Sequence, residues 1–500
     1  MDRMGRKLTD VWVSLGPRFL PFADVTTPDL SASRLLRLSL FQVSVGMALV
    51  LLLGTLNRVM VVELGVPTTV VGLMIALPVA AAPFRALIGH RSDTHRSELG
   101  WRRVPFIWKG TLVQFGGFAL MPFALLVLAG QGEAHSAPAW VGIGTAGLAF
   151  LLVGAGVHTV QTAGLALATD LTPEKSHPKM VGFMYVMMLL GMIVSALIFG
   201  AALADYTPGR LVQVIQGAAV ATLILNTISM WKQETRRPRH LRAKEPERDP
   251  TFSEAWAEFR KGEFALLHLV IVGIGTLAFG MADVLLEPFG GQVLGMTVAG
   301  TTRLTALFAA GGLAGFWAGA VVMGRGGEPH RWSLYSAIIG IPAFLLVMFA
   351  GPLGVLELFL VGNFLIGLGA ALFWHSTLTA TMNRAAPGQV GLALGAWGAV
   401  QATVAGVAIA IAGVTRDVVK LVIGPEGSLF GFDQVASGYV AVFAIEVLFL
   451  VVTIVAIIPL VRRVSGRRTE VSEGHTSSPS HSSASSPIRE PEDTEVSATI

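Results

Sequence analysis

Twelve stretches of predominantly apolar residues, each cut off by charges, prolines or loop signals, limit this chain more than any other feature of its sequence. A helix of about 20 apolar residues crosses the roughly 30 Å hydrocarbon layer of a bilayer, and inside that layer the backbone must satisfy its own polar groups. The stretches fall near 38–62, 67–89, 105–129, 139–167, 179–203, 210–231, 263–287, 298–323, 333–351, 354–376, 389–414 and 438–461. The expected fold is therefore an all-α integral membrane protein with twelve transmembrane helices. Composition agrees: 53% of the residues are hydrophobic and 14% charged, against roughly 25% charged in a soluble domain. So few charges cannot coat a water-facing surface.

Lys and Arg are distributed unevenly over the connections. Assigned to alternate sides of the twelve spans, 31 of the 36 basic residues fall on one side, leaving Arg58, Arg210, Arg303, Arg416 and Lys420 on the other. Basic flanks resist translocation, so both termini are expected in the cytoplasm. The net charge of +4 then reflects inner-leaflet bias and not nucleic-acid binding. Residues 1–37 are basic and partly amphipathic around Trp12, Phe19 and Phe22, with no short apolar core followed by a small-residue cleavage site. They read as a cytoplasmic segment lying on the leaflet or gripping a partner helix, not as a cleavable signal.

The polar stretch 232–262 divides the spans into two sets of six, 38–231 and 263–462. Internal similarity supports that division. Residues 152–174 align with 365–388, matching Gly154 to Gly367, Gly156 to Gly369 and Asp170 to Asn383, and Asn57 falls on Asp283 in a second alignment. Equivalent spans in two parallel halves are the mark of pseudosymmetric six-helix bundles, the major facilitator fold. Residues 463–500, rich in Ser, Glu, Thr and Pro, are expected to be disordered.

The sequence holds no phosphate-binding G-x-x-x-x-G-K-[ST] loop, no H-E-x-x-H zinc helix, no G-x-S-x-G turn and no cysteine. Nucleotide-driven pumping, thiol chemistry and the commoner hydrolase mechanisms lack their parts, so an enzyme is not expected. The connection 89–108, GHRSDTHRSELGWRRVPFIW, resembles the major facilitator loop signature. Gly89 permits close helix approach, Asp93 can face a helix N-terminus, and Arg96, Arg102 and Arg103 hold the cytoplasmic end as a latch. These arginines can also simply follow the orientation rule.

The strings LLRLSLFQVSVGMALVLLLGTLNRVMVVELGVP (35–67), ALPVAAAPFRALIGHRSDTHRSELGWRRVPFIW (76–108) and QFGGFALMPFALLVL (114–128) carry a more specific resemblance. They are similar to the PucC/LhaA family, the bacteriochlorophyll-delivery branch of the major facilitators. The resemblance implies an assembly factor for light-harvesting antenna complexes in the bacterial photosynthetic inner membrane. Antenna polypeptides would be its clients, with bacteriochlorophyll synthase and reaction-centre assembly components as further possible partners.

A magnesium chlorin needs apolar surface, an axial donor and hydrogen-bond donors for its carbonyls. Neutral imidazole is a capable axial ligand. His158 with Gln161 one turn on, and His375 next to Trp374, are the leading pigment-binding candidates, ahead of His268. A membrane histidine can equally bond a neighbouring helix. Met180, Met184, Met187, Met188 and Met192 form a stripe in span five that could fit a flat macrocycle or merely pack. At the other face, Arg58 is expected to pair with Asp283 or Glu287, since an unpaired charge there is costly.

Two other functions stay open. One is a secondary transporter working by alternating access, weakened because Asp283, Glu287, Glu357 and Glu446 read as lying mostly near span ends. The other is an assembly scaffold that touches no pigment.

Overall fold

In the computed structural model the described residues are 31–80, 88, 91–92, 101–130, 138–172, 177–234, 265–384, 390–424, 427–428 and 431–476. Eleven helices among them are long and apolar enough to cross a membrane, and a shorter apolar helix covers Thr68–Val79. We number them α1 (Ser33–Glu63), α2 (Thr68–Ala80), α3 (Val104–Leu128), α4 (Ala139–Asp170), α5 (His177–Ala202), α6 (Pro208–Met230) and α7 (Ala265–Gln292). The rest are α8 (Val298–Gly324), α9 (Pro329–Leu353), α10 (Leu356–Arg384), α11 (Val390–Ile423) and α12 (Gln434–Thr476). No strand occurs among the described residues.

Capping chemistry sets several helix starts. Thr207 accepts from Arg210 N–H and Thr297 from Gly300 N–H, each at 3.1 Å. Glu328 accepts from the N–H groups of His330 and Arg331. Pro208 and Pro329 occupy first-turn positions, where a missing N–H breaks no bond.

Helix packing repeats after six helices. The pair α1·α5 is matched by α7·α11, α2·α4 by α8·α10, and α3·α4 by α9·α10. Two further contacts, α5·α8 and α2·α11, join the first six helices to the last six and map onto each other under the same shift. The pseudo-equivalent α1 and α7 are the most enclosed, with 83% and 72% of their apolar windows buried. They form the centre, and both are irregular. α1 winds as a π-helix over Val50–Leu56 and Val59–Glu63, while α7 breaks into a 3-10 turn at Ala282–Val284 before resuming at Leu286.

Small residues let the helices close up. Gly311, Gly315 and Gly319 form a four-residue repeat on α8 facing α10. A Cβ on Gly319 would stand 2.6 Å from His375 Cδ2, so any larger residue displaces that ring. Between α1, α3, α4 and α5 a closed apolar cluster contains Leu38, Phe41, Ile107, Val160, Phe183 and Met184.

The helices up to Ile457 belong to one packed unit, and Ile458–Ile500 form a second. Helix α12 runs from Gln434 to Thr476.

Candidate functional site

Of the candidate pigment residues, Met184 is removed by the packing. Its side chain is fully buried in the cluster with Phe41 and Val160, as is that of Met180, so two of the five methionines of the stripe are core. Met188, half-buried, lies with its sulfur 3.7 Å from Gln161 Nε2. Gln161 also donates to Gln42 Oε1 at 3.4 Å, tying α4 to α1. Its amide is used between helices, the ordinary fate of a membrane glutamine. His158 is half-buried and engaged within the protein. His268 is buried, with Nε2 2.8 Å from Thr381 Oγ1 and its ring edge-on to His330 at 5.6 Å.

His375 is placed differently. It is half-buried on α10, in the notch left by Gly319, and edge-on to Phe316 of α8 at 5.4 Å between centroids. Phe316 in turn stacks on Tyr185 of α5 at 6.3 Å, with 12° between planes. No hydrogen bond among the described residues engages the His375 ring nitrogens. The adjacent Trp374 has a buried indole Nε1 with no hydrogen-bond partner among them. Three helices thus bring an aromatic run to an imidazole. No feature of the sequence marks Tyr185 or Phe316, because they lie on helices that meet through the α5·α8 contact.

The face carrying Glu63 and Asp417 is closed by polar contacts. Arg58 does not pair with Asp283 or Glu287. It forms an ion pair with Glu63, and its second nitrogen donates to Met296 O at 3.1 Å. The π-helical winding is the reason: residues five apart share a face there, so Arg58 finds Glu63 on its own helix. Glu287 instead accepts from the Thr305 hydroxyl. Asn57 donates to Val284 O at 2.9 Å, where the α7 break frees a carbonyl, and the hydroxyls of Thr55 and Thr302 meet at 3.1 Å.

A second clasp lies on the same face. Asp417 accepts from Thr69 N–H and Thr69 Oγ1 of α2, and from Arg416. Arg416 donates on to Gln292 Oε1 at 2.7 Å, which also accepts from the Tyr439 hydroxyl. This clasp joins α2, α7, α11 and α12.

On the basic face Arg103 binds Asp170 at 3.0 Å and donates to Ser92 Oγ at 2.6 Å, and Arg102 reaches Asp170 at 3.3 Å. Glu234 accepts from the N–H groups of Arg102, Arg103 and Val104 and so caps α3. Of the expected latch, Gly89, Asp93 and Arg96 lie outside the described residues. Asp170 and Glu234 were not foreseen as its partners.

The family model described as PUCC protein matches residues 55–465. The chain belongs to the PUCC protein family. It is 56% identical to Protein PucC of Cereibacter sphaeroides over 91% of this chain and 98% of that one. Identity to Protein PucC of Rhodovulum sulfidophilum is 58%, over 84% and 93% of the two chains. A more distant relative is the bacteriochlorophyll synthase 44.5 kDa chain of Rhodobacter capsulatus, 28% identical over 80% and 90%. Among solved structures, a bacterial homologue of the human lysosomal transporter Spinster, inward-facing and occupied, superimposes with a TM-score of 0.61 at 16% identity, covering 87% of this chain and 98% of that one. The fold of this PUCC family member is the major facilitator fold.

One acid departs from its expected position in this PUCC chain. Glu446 lies near the middle of the span Gln434–Arg462, fully buried, with Oε1 accepting from Ala282 N–H at 2.6 Å. The helix begins at Gln434, earlier than the apolar run suggests, and that moves Glu446 inward.

Neutral imidazole is a donor that magnesium accepts, and Phe316 and Tyr185 bring apolar rings to it.

Proposed function

We propose that this chain is a non-catalytic assembly factor for bacterial light-harvesting antenna complexes. It holds bacteriochlorophyll within the bundle, with His375 as axial ligand of the magnesium, and presents the pigment to antenna polypeptides. The observation that carries the reading is the His375 imidazole, half-buried against Phe316 with both ring nitrogens unengaged by described residues. Membership of the PUCC family supports the assembly role. The name of the distant Rhodobacter capsulatus relative supports a link to bacteriochlorophyll synthesis, and a bacteriochlorophyll synthase and reaction-centre assembly components are further partners in this reading. The site of action is the photosynthetic inner membrane, with both termini cytoplasmic, as the basic-residue imbalance favours.

Purification of the full chain from hosts with and without pigment synthesis tests this. A bacteriochlorophyll absorption spectrum that travels with the protein and weakens in His375→Ala supports it. Colourless protein that still carries antenna polypeptides points to a scaffold and overturns the pigment role.

A secondary transporter is the second reading, favoured by mid-span Glu446 and the transporter-like fold. Solute flux in pigment-free liposomes would support it.

A further inference from the structure

The break in α7 gathers carboxyl groups that neither the latch nor the pigment site uses. Glu446 of α12 is 0% exposed and Glu287 of α7 is 5% exposed. Each has one oxygen satisfied, Glu446 Oε1 by Ala282 N–H and Glu287 Oε1 by the Thr305 hydroxyl. The other oxygen of each, Oε2, is buried with no hydrogen-bond partner among the described residues. An ionised carboxylate in a dry site needs a cation or several donors, and losing both is far more costly than taking up a proton.

The cationic groups on the neighbouring helices hold partners other than these acids through their terminal nitrogens, while the Nε atoms of Arg58 and Arg416 are buried with no hydrogen-bond partner among the described residues. From α1, Arg58 is held by Glu63 and Met296 O. From α11, Arg416 is held by Asp417 and Gln292, with its guanidinium also over the Tyr439 ring of α12. Arg303 of α8 is exposed. Asp283, on α7 itself, is a further acid and brings no cation.

We propose that the interruption of α7 is a proton-binding site, in which Glu446 and Glu287 are neutral carboxylic acids while the face carrying Asp417 is closed, and that proton release from Glu287 loosens that face. The coupling is geometric. A carboxylate at Glu287 competes with Glu63 for Arg58, and Arg58 is the group that ties α1 to the α7–α8 connection through Met296 O. Gly54 of α1 packs directly on the Glu287 carboxyl, so a change there is felt by the central helix. The site is a property of the closed bundle whatever the cargo, and it stands apart from the pigment reading.

Infrared spectroscopy of the full chain in a detergent without ester or carboxyl groups tests the proposal, through the C=O stretch of protonated carboxylic acids, which lies clear of the carboxylate and amide bands. At neutral pH the wild-type protein should show this band, shifted in D2O and lost on alkaline titration. Glu287→Gln and Glu446→Gln should each remove part of it. Absence of the band in wild-type protein at neutral pH overturns the proposal, and that measurement needs no variant to fold. A band left unchanged by both substitutions also overturns it. So does a band abolished by sodium at constant pH, which would assign the site to an alkali cation instead.

Discussion

Asp417 of α11 accepts hydrogen bonds from both the backbone N–H and the hydroxyl of Thr69 of α2, at 2.6 and 2.8 Å. A single carboxylate thereby ties helix two to helix eleven, a contact that joins the repeated halves. Hydrogen bonds to a charged group contribute roughly 1.5–3 kcal/mol each in favourable settings. Asp417→Ala should therefore weaken closure of this face. The chain has no cysteine, so a lone cysteine placed at buried Ile409 reports on opening. Its labelling should quicken about tenfold for each ~1.4 kcal/mol lost, and an unchanged rate would mean that the clasp contributes nothing to closure.

Gly319 leaves the notch that His375 fills. Gly319→Val forces the imidazole aside or pushes α8 from α10, and overpacking of this kind costs about 1–3 kcal/mol. A lowered thermal midpoint in detergent is expected, larger than that from Gly144→Val, where a Cβ meets nothing within 4 Å.

Pigment retention should separate the two leading histidines. His375→Ala is expected to reduce co-purifying bacteriochlorophyll by about tenfold, the ~1.4 kcal/mol of one lost ligand contact. His158→Ala should leave it near wild-type. The reverse ranking, read from the absorbance ratio of pigment to protein, would transfer the axial role to α4.

Glu328 provides a pH dependence. Burial pushes its carboxyl upward, but hydrogen bonds from the His330 ring and from the His330 and Arg331 N–H groups outweigh this and hold it below its ordinary value. A depressed folded-state value stabilises the fold above the unfolded-state value, and the contribution is lost as pH falls through the folded one. The thermal midpoint should thus fall on acidification below the usual glutamate range. Glu328→Gln should show a flatter profile and a lower midpoint at neutral pH, since the cap is weakened there.

The sequence made some residues of the site legible and hid others for one physical reason: apolar runs report depth in the membrane, not rotation about the helix axis. Arg102 and Arg103 could be placed on the basic face because charge asymmetry is a property of connections, yet their partner Asp170 lies across the bundle end. The methionine spacing on α5 was visible, but whether that face meets a ligand or a neighbour depends on α1 and α4, which bury Met184. Arg58 was expected to reach across to α7, and the π-helical turns that give it Glu63 instead have no signature in residue type.

By itself the sequence determined the solvent of this protein, the number and approximate limits of its spans and the six-helix repeat. Those follow from hydrophobic length and charge bias, which are local and additive along the chain. Only the tertiary structure decided that Tyr185, Phe316 and His375 form one aromatic run, that Glu446 lies deep beside the α7 break, and that Thr69 and Asp417 close one face. Each joins helices far apart in the chain, and their meeting is fixed by how small residues let particular helix faces interlock, an arrangement no single span encodes.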